Sequence, residues 1–264
     1  MTKAGIESIS RENRIFEPPA EFSKNARIDS MEAYRALYDR SIEEPEAFWA
    51  EQARELHWFK QPEQVLDWKP PHARWFADGL TNVAYNCLDR HLQGPRRHKA
   101  AIIWEGEPGD QRVLTYQQLW RETCRFANGL KRLGVKAGDR VAIYMGMVPE
   151  AAIAMLGCAR IGAVHSVIFG GFAADAIRDR VNDAEATVVI TQDGAYRRGQ
   201  VVPLKEQVDR ALEGCPTVKH TVVLERTGTD INMKEGRDHD WHALLSGENG
   251  DCPATELESV PSPI

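Results

Sequence analysis

From Pro95 onward the chain alternates short β-rich runs with helical segments, and no other feature of its 264 residues restricts the fold as much. The strand candidates are Ala100 to Trp104, Arg140 to Tyr144, Ala163 to Ile168, Thr187 to Thr191 and His220 to Leu224. Strands separated by helices need crossover connections, so the expected class is α/β, a doubly wound, mostly parallel sheet flanked by helices. Thr115 and Gln118 have capping-box spacing, and Tyr116, Leu119, Trp120, Thr123, Ala127 and Leu130 then share one helical face. Gly134 supplies the stop for that helix. The next helix opens at Pro149 and is apolar nearly all round, which predicts burial.

The first 94 residues follow a different pattern. Residues 1–30 mix charges with Pro18 and Pro19 and show no sustained period, which reads as an irregular arm. Between Met31 and Phe59 apolar residues recur at helical spacing with a break near Pro45, which predicts two short helices. Trp68, Pro70, Pro71, Trp75 and Phe76 suggest a loop pinned by its aromatic rings. The expected organisation is therefore an arm over 1–30, an extension over 31–94 and an α/β subdomain over 95–264. Beyond Leu224 the chain turns polar, with one helical patch around Trp241, Leu244 and Leu245.

Composition removes several function classes. A formal charge of −6 argues against a general nucleic-acid or anionic-membrane surface, so phosphate recognition is expected to be local. The five cysteines are widely spaced and never form C-x-x-C, so they read as free thiols. No apolar run reaches the roughly 18 residues of a spanning helix and residues 1–30 lack signal-peptide order, which places the protein in the cytoplasm as an expectation.

Doubly wound sheets bind ligands beyond the carboxyl ends of their strands. Two loops there are unusual. Phe169-Gly170-Gly171-Phe172 pairs glycines, which let a backbone approach a ligand, with rings that can stack on a base; it equally describes a tight strand-to-helix turn. Tyr196-Arg197-Arg198-Gly199-Gln200 follows the next strand and precedes a helix near Pro203; its arginines can fork onto a phosphate or lie solvated on a surface. Two such loops on consecutive strands favour an anionic nucleotide. Asp238, His239, Asp240 and His242 have metal-like spacing but read as a surface cluster in a polar loop, and no metal ligands are assigned. Gly129 and Gly134 have P-loop spacing with Val135 in place of Lys, and no G-x-G-x-x-G, G-x-S-x-G or H-E-x-x-H occurs. No catalytic residue is assigned.

The run Trp75-Phe76, Gly79 and Asn82-Val83-Ala84-Tyr85-Asn86-Cys87-Leu88-Asp89-Arg90-His91 closely resembles the segment that opens the main domain of acetyl-, propionyl- and acetoacetyl-CoA synthetases. Leu114-Thr115-Tyr116, Gly138-Asp139-Arg140-Val141, Pro149-Glu150 and Gly162 to Phe172 likewise resemble the adenylate-forming superfamily, the last of these its acetyl-CoA synthetase branch. Trp241-His242 and Leu244 also fit, so the resemblance runs from Met31 to the tail.

That resemblance implies the first subdomain of the adenylate-forming fold and a two-step reaction. Acetate attacks Mg-ATP to give acetyl-AMP and pyrophosphate, and the CoA thiol then displaces AMP. It implies that Arg197, Arg198, Gly199 and Gln200 contact the phosphorylated nucleotide end of CoA beside Phe169, Gly170 and Gly171. Gln200 departs from a position that is often basic in the family. CoA, ATP and acetate are the implied small-molecule substrates. The phosphate loop, the Mg ligands and the mobile C-terminal domain are implied to follow Ile264 in the same enzyme, so the chain alone is expected not to adenylate. A propionate- or acetoacetate-specific relative and a non-catalytic CoA-binding module are the alternative readings.

Overall fold

The computed structural model describes residues 15–259. The chain divides into two compact units between Glu55 and Leu56. In the first, a single turn α1 (Ala20–Ser23) is followed by α2 (Met31–Glu43) and α3 (Pro45–Ala53), the two helices that the spacing predicts. Ser30 starts α2, its Oγ accepting the Ala33 N–H at 3.1 Å, and Pro45 starts α3. Residues 1–14 of the expected arm lie outside the described residues.

The second unit opens with β1 (Gln64–Lys69) and β2 (His72–Ala77), an antiparallel hairpin turning at Pro70-Pro71. This corrects the expected aromatic loop. Trp75 opposes Leu66 and Ala73 opposes Trp68, so the rings belong to a paired register rather than to an irregular segment. The short β3 (Leu80–Thr81) and α4 (Val83–Cys87) follow, then 3-10 turns at Asp89–His91 and Pro95–His98. Asn82 is fully buried between them. Its Oδ1 accepts the Ala84 and Tyr85 N–H groups that begin α4, while its Nδ2 donates to the Ala159 carbonyl at 2.9 Å and the Thr255 carbonyl at 2.8 Å. One amide thus caps one helix at its start and binds the end of another.

The next hairpin pairs β4 (Ala100–Glu105) with β5 (Gln111–Thr115). The first strand candidate therefore leaves the parallel sheet. Gly109, at φ +92°, sits in the turn that sends the chain straight back, so no crossover helix separates the two strands. α5 (Tyr116–Arg132) carries the full capping box, with Thr115 Oγ1 accepting from Gln118 N and Gln118 Oε1 from Thr115 N. Gly134, at φ +86°, donates to the Lys131 carbonyl and Val135 to that of Leu130, the paired bonds of a left-handed helix stop.

The sheet itself contains β6 (Arg140–Met145), β7 (Val164–Phe169), β8 (Val188–Gln192), β11 (His220–Leu224) and β12 (Asp238–Asp240). All its pairings are parallel and the order is β12-β11-β8-β6-β7. α6 (Pro149–Ile161), α7 (Ala174–Asp183), α8 (Leu204–Leu212) and α9 (Trp241–Leu245) complete the layers. Alternate strand residues face two cores. Val141, Ile143, Val188 and Ile190 meet α5, α6 and α9, whereas Ala142, Tyr144, Ile168 and Val189 meet α7 and α8.

The fifth strand of the sheet is β12, in a stretch that reads as a polar surface loop. The Asp238 side chain is fully buried there, held by Lys205 Nζ at 2.9 Å and Arg237 Nε at 2.6 Å. Lys205, equally buried, also reaches Asp209 and the Asn232 carbonyl. Paired, hydrogen-bonded charges are what permit an Asp to enter a sheet. Asp240 caps α9 through the Ala243 N–H, and His239 Nε2 lies 3.0 Å from His220 Nδ1. The metal-like spacing thus serves an ion-pair network, a helix cap and an edge contact.

Candidate functional site

Strand order dictates where a site can form. From β6 the chain crosses through α6 to β7 on one side, and from β8 it crosses through α8 to β11 on the other. Neighbouring strands whose connections leave in opposite directions open a crevice at their carboxyl ends. A pocket of about 340 Å³ lies there, lined by residues that include Trp104, Met145, Gly146, Phe169, Gly170, Gly171, Gln192, Tyr196, Arg197 and Arg226.

The Phe169-Gly170-Gly171-Phe172 turn follows β7 and is tied down from within the sheet. Tyr144, buried on β6, donates its hydroxyl to the Phe172 carbonyl at 2.8 Å. Burial holds the Tyr144 pKa above the ordinary phenol value. A Cβ on Gly170 would stand 3.1 Å from the Met145 carbonyl oxygen, so the missing side chain allows the turn to close over the end of β6. The Phe169 and Phe172 rings meet edge to face at 5.7 Å.

The arginine loop is not a strand-to-helix connection. β9 (Ala195–Arg197) and β10 (Gln200–Val202) form a hairpin whose turn residues, Arg198 and Gly199, have φ +52° and +74°. Two successive left-handed residues match the twist of a two-residue hairpin. This geometry separates the candidates. Arg197 points back into the pocket, whereas Arg198, Gly199 and Gln200 occupy the exposed tip, where the Gly199 N–H bonds Glu107.

Arg197 spans the crevice. Its guanidinium lies 5.2 Å from the Phe169 ring centroid, and a Cβ on Gly171 would collide with its Nη1. The side chain thus joins the two loops that the sequence singles out, one on each side of β6. Among the described residues its guanidinium has no hydrogen-bond acceptor, so its planar fork is available to a ligand anion.

Three pocket residues have no local sequence signal. Gln192 ends β8, and its Oε1 accepts the Gly146 N–H at 2.5 Å, while its buried Nε2 has no partner among the described residues. Arg226 enters from the loop after β11. Its Cζ lies 5.1 Å from the Trp104 ring centroid and 5.1 Å from that of Tyr196, so the guanidinium is within cation–π reach of both rings. Trp104 is itself fixed by its Nε1 bond to the Met147 carbonyl at 2.8 Å.

Asp193, the residue after Gln192, organises that loop. It accepts the N–H groups of Gly194, Arg226, Thr227 and Thr229 and the Thr227 hydroxyl. Burial disfavours its charge, but the bonds from Arg226, Gly194 and Thr227 prevail and hold its pKa below the ordinary value. No described group of three His, Cys, Asp or Glu side chains could hold a metal ion, and no described helix is long and apolar enough to cross a membrane.

The sequence and the fold are similar to those of known proteins. The family model described as AMP-binding enzyme matches residues 88–259, and that described as acetyl-coenzyme A synthetase N-terminus matches residues 34–87. Acetyl-coenzyme A synthetase of Chlorobaculum tepidum is 51% identical over 254 residues, which are 96% of this chain and 38% of the relative. That of Rhodopirellula baltica is 51% identical over 261 residues, 96% of this chain and 39% of the relative. Acetoacetyl-CoA synthetase from Streptomyces lividans superposes with a TM-score of 0.80 at 25% identity, over 92% of this chain and 39% of that one. The chain thus spans under two fifths of the length of these relatives. With the model matching across the whole parallel sheet and its helices, the chain belongs to the AMP-binding enzyme family.

Proposed function

We propose that the chain is the N-terminal part of an ATP-dependent acetate–CoA ligase and supplies its contact with the nucleotide end of CoA. The complete enzyme would join acetate, ATP and CoA to give acetyl-CoA, AMP and pyrophosphate through acetyl-AMP. In this reading residues 31–94 are the synthetase extension and residues from 95 onward the first α/β subdomain. The Mg ligands and phosphate loop belong to sequence beyond Ile264, and the enzyme works in the cytoplasm.

One observation carries the proposal. The Arg197 guanidinium lies across the Phe169-Gly171 turn with no acceptor among the described residues, in a pocket at the point where the strand order reverses. A stacked, unengaged guanidinium in a crevice suits a phosphate with an adjoining base. Arg198 and Gln200, at the hairpin tip, would reach the same ligand only from its outer side.

Titration of CoA into the chain by calorimetry tests this. Binding is expected, with Arg197→Ala weakening it by about 10- to 100-fold, the range of one charge-assisted hydrogen bond. No CoA binding, or binding indifferent to Arg197, would overturn the reading. Incubation with acetate and ATP is expected to release no pyrophosphate.

A further inference from the structure

Arg226 lies 29 residues beyond Arg197 in sequence, yet both line one pocket. The two share an unusual state. Each guanidinium is within cation–π reach of aromatic rings, Arg197 of Phe169 and Arg226 of Trp104 and Tyr196. Attraction of a cation to a ring face does not itself use up the N–H donors, which stay available to an anion. Among the described residues the Arg226 side chain donates to one acceptor only, Asp110 Oδ1 at 2.8 Å. Four of the five guanidinium N–H donors therefore have no acceptor among the described residues.

The surroundings of Arg226 restrict its motion more than a surface arginine requires. Its backbone N–H is bound by Asp193 at 2.8 Å, and the following Thr227 and Thr229 are bound by the same carboxylate. Trp104, one of the two rings, is locked by Met147. The side chain remains 21% exposed, and its partner Asp110 is 44% exposed. An ion pair that wet contributes little stability, which leaves the cation accessible to a stronger anion.

We infer that Arg226 is a second anion-recognition residue of this pocket, so that the site takes a nucleotide carrying two separate phosphate groups, one at Arg197 and one at Arg226. The inference rests on the CoA reading and extends it to specificity. A doubly phosphorylated adenosine is preferred over a singly phosphorylated one because two preorganised guanidiniums each meet a phosphate. Asp110 competes with the second phosphate for Arg226.

The probes are adenosine 3′,5′-bisphosphate and the tighter-binding of adenosine 3′- and 5′-monophosphate, titrated calorimetrically into the chain. The unsubstituted chain is expected to prefer the bisphosphate by about 10- to 100-fold. Arg226→Gln should lower bisphosphate affinity and bring that ratio close to one. Asp110→Asn should raise the bisphosphate preference by up to about fivefold, the scale of an exposed ion pair, and a misfolded variant would not gain affinity. If Arg197→Ala abolishes binding but the preference survives Arg226→Gln and does not move with Asp110→Asn, the inference falls and the CoA reading stands. Failure of the unsubstituted chain to bind any of the nucleotides would remove both.

Discussion

Arg160 and Asp89 form a two-pronged ion pair, Nη1 and Nη2 of the guanidinium meeting the two carboxylate oxygens at 2.7 and 2.8 Å. The Arg160 side chain is 2% exposed and lies in the last turn of α6, while Asp89 lies in the Asn82-to-His91 run. The Trp120 indole donates to the same carboxylate at 3.0 Å, and Arg160 Nε bonds the Cys252 carbonyl. The run that resembles the synthetases is therefore an assembly joint of the α/β unit, far in role from the pocket.

Removing one partner of that pair leaves a charge without its counterion in a dry setting. Arg160→Met is expected to lower stability by about 3 kcal/mol or more, and Asp89→Asn by a comparable amount. The double variant Arg160→Met with Asp89→Asn should lose less than the sum of the two. Urea unfolding of the three variants measures this, and additive losses would deny the coupling.

Asp238 gives a pH signature with a defined sign. Burial opposes its charge, but hydrogen bonds from Arg237, Lys205 and Lys234 outweigh that and hold its pKa at about 2, below the ordinary 3.8. A carboxyl whose folded pKa is depressed stabilises the fold above its unfolded pKa and loses that contribution as the pH falls through the folded one. The contribution is about 2 kcal/mol at neutral pH. Unfolding of the unsubstituted chain and Asp238→Asn should therefore differ most above pH 4 and converge towards pH 2. A gap independent of pH would assign the loss to packing alone.

The cysteines should react unequally. Burial pushes the Cys124 and Cys158 thiols up to about 12, and Cys215 is raised by the same cause, so none of the three offers thiolate at neutral pH. Partial desolvation also raises the Cys87 thiol, against the pull of Arg90, but Cys87 is exposed at the end of α4 and a reagent can reach it. Titration of the native chain with an aromatic disulfide reagent is expected to give one fast thiol, and all five only in denaturant. Rapid native labelling at Cys124 or Cys158 would contradict the packing around α5 and α6.

Local signals read well from sequence, and tertiary ones did not. Thr115, Gln118 and Gly134 act through their own backbone neighbours, so the ends of α5 were legible. The same holds for Pro149 at the start of α6. β12 was not, because Asp238 enters the sheet only once Lys205, 33 positions away, neutralises it. Ala100 to Trp104 has the composition of a sheet strand, and only the turn at Gly109 commits it to a hairpin. In the pocket, the Phe169-Gly171 turn and Arg197 announce themselves by residue type. Arg226 does not, since its place depends on Asp193 gathering the N–H groups of a loop that sequence shows only as polar.

Gly171 offers a way to disturb the pocket without touching a charged residue. Its backbone is not left-handed, so alanine suits the local conformation, and the conflict is with neighbouring side chains. An added Cβ would strike Arg197 Nη1 and stand 2.7 Å from Phe169 Cε1. Phe169 is 59% exposed, so both groups can move towards solvent, and the fold should lose no more than about 1 kcal/mol. The Arg197 guanidinium would then leave the Phe169 face that orients it. Gly171→Ala is thus expected to keep its unfolding midpoint within a few degrees while its affinity for CoA falls about tenfold, one hydrogen bond to a charged group. Undiminished CoA affinity would mean that the stacked position of Arg197 is not the one that binds, and the ligand would have to meet the hairpin tip at Arg198 instead.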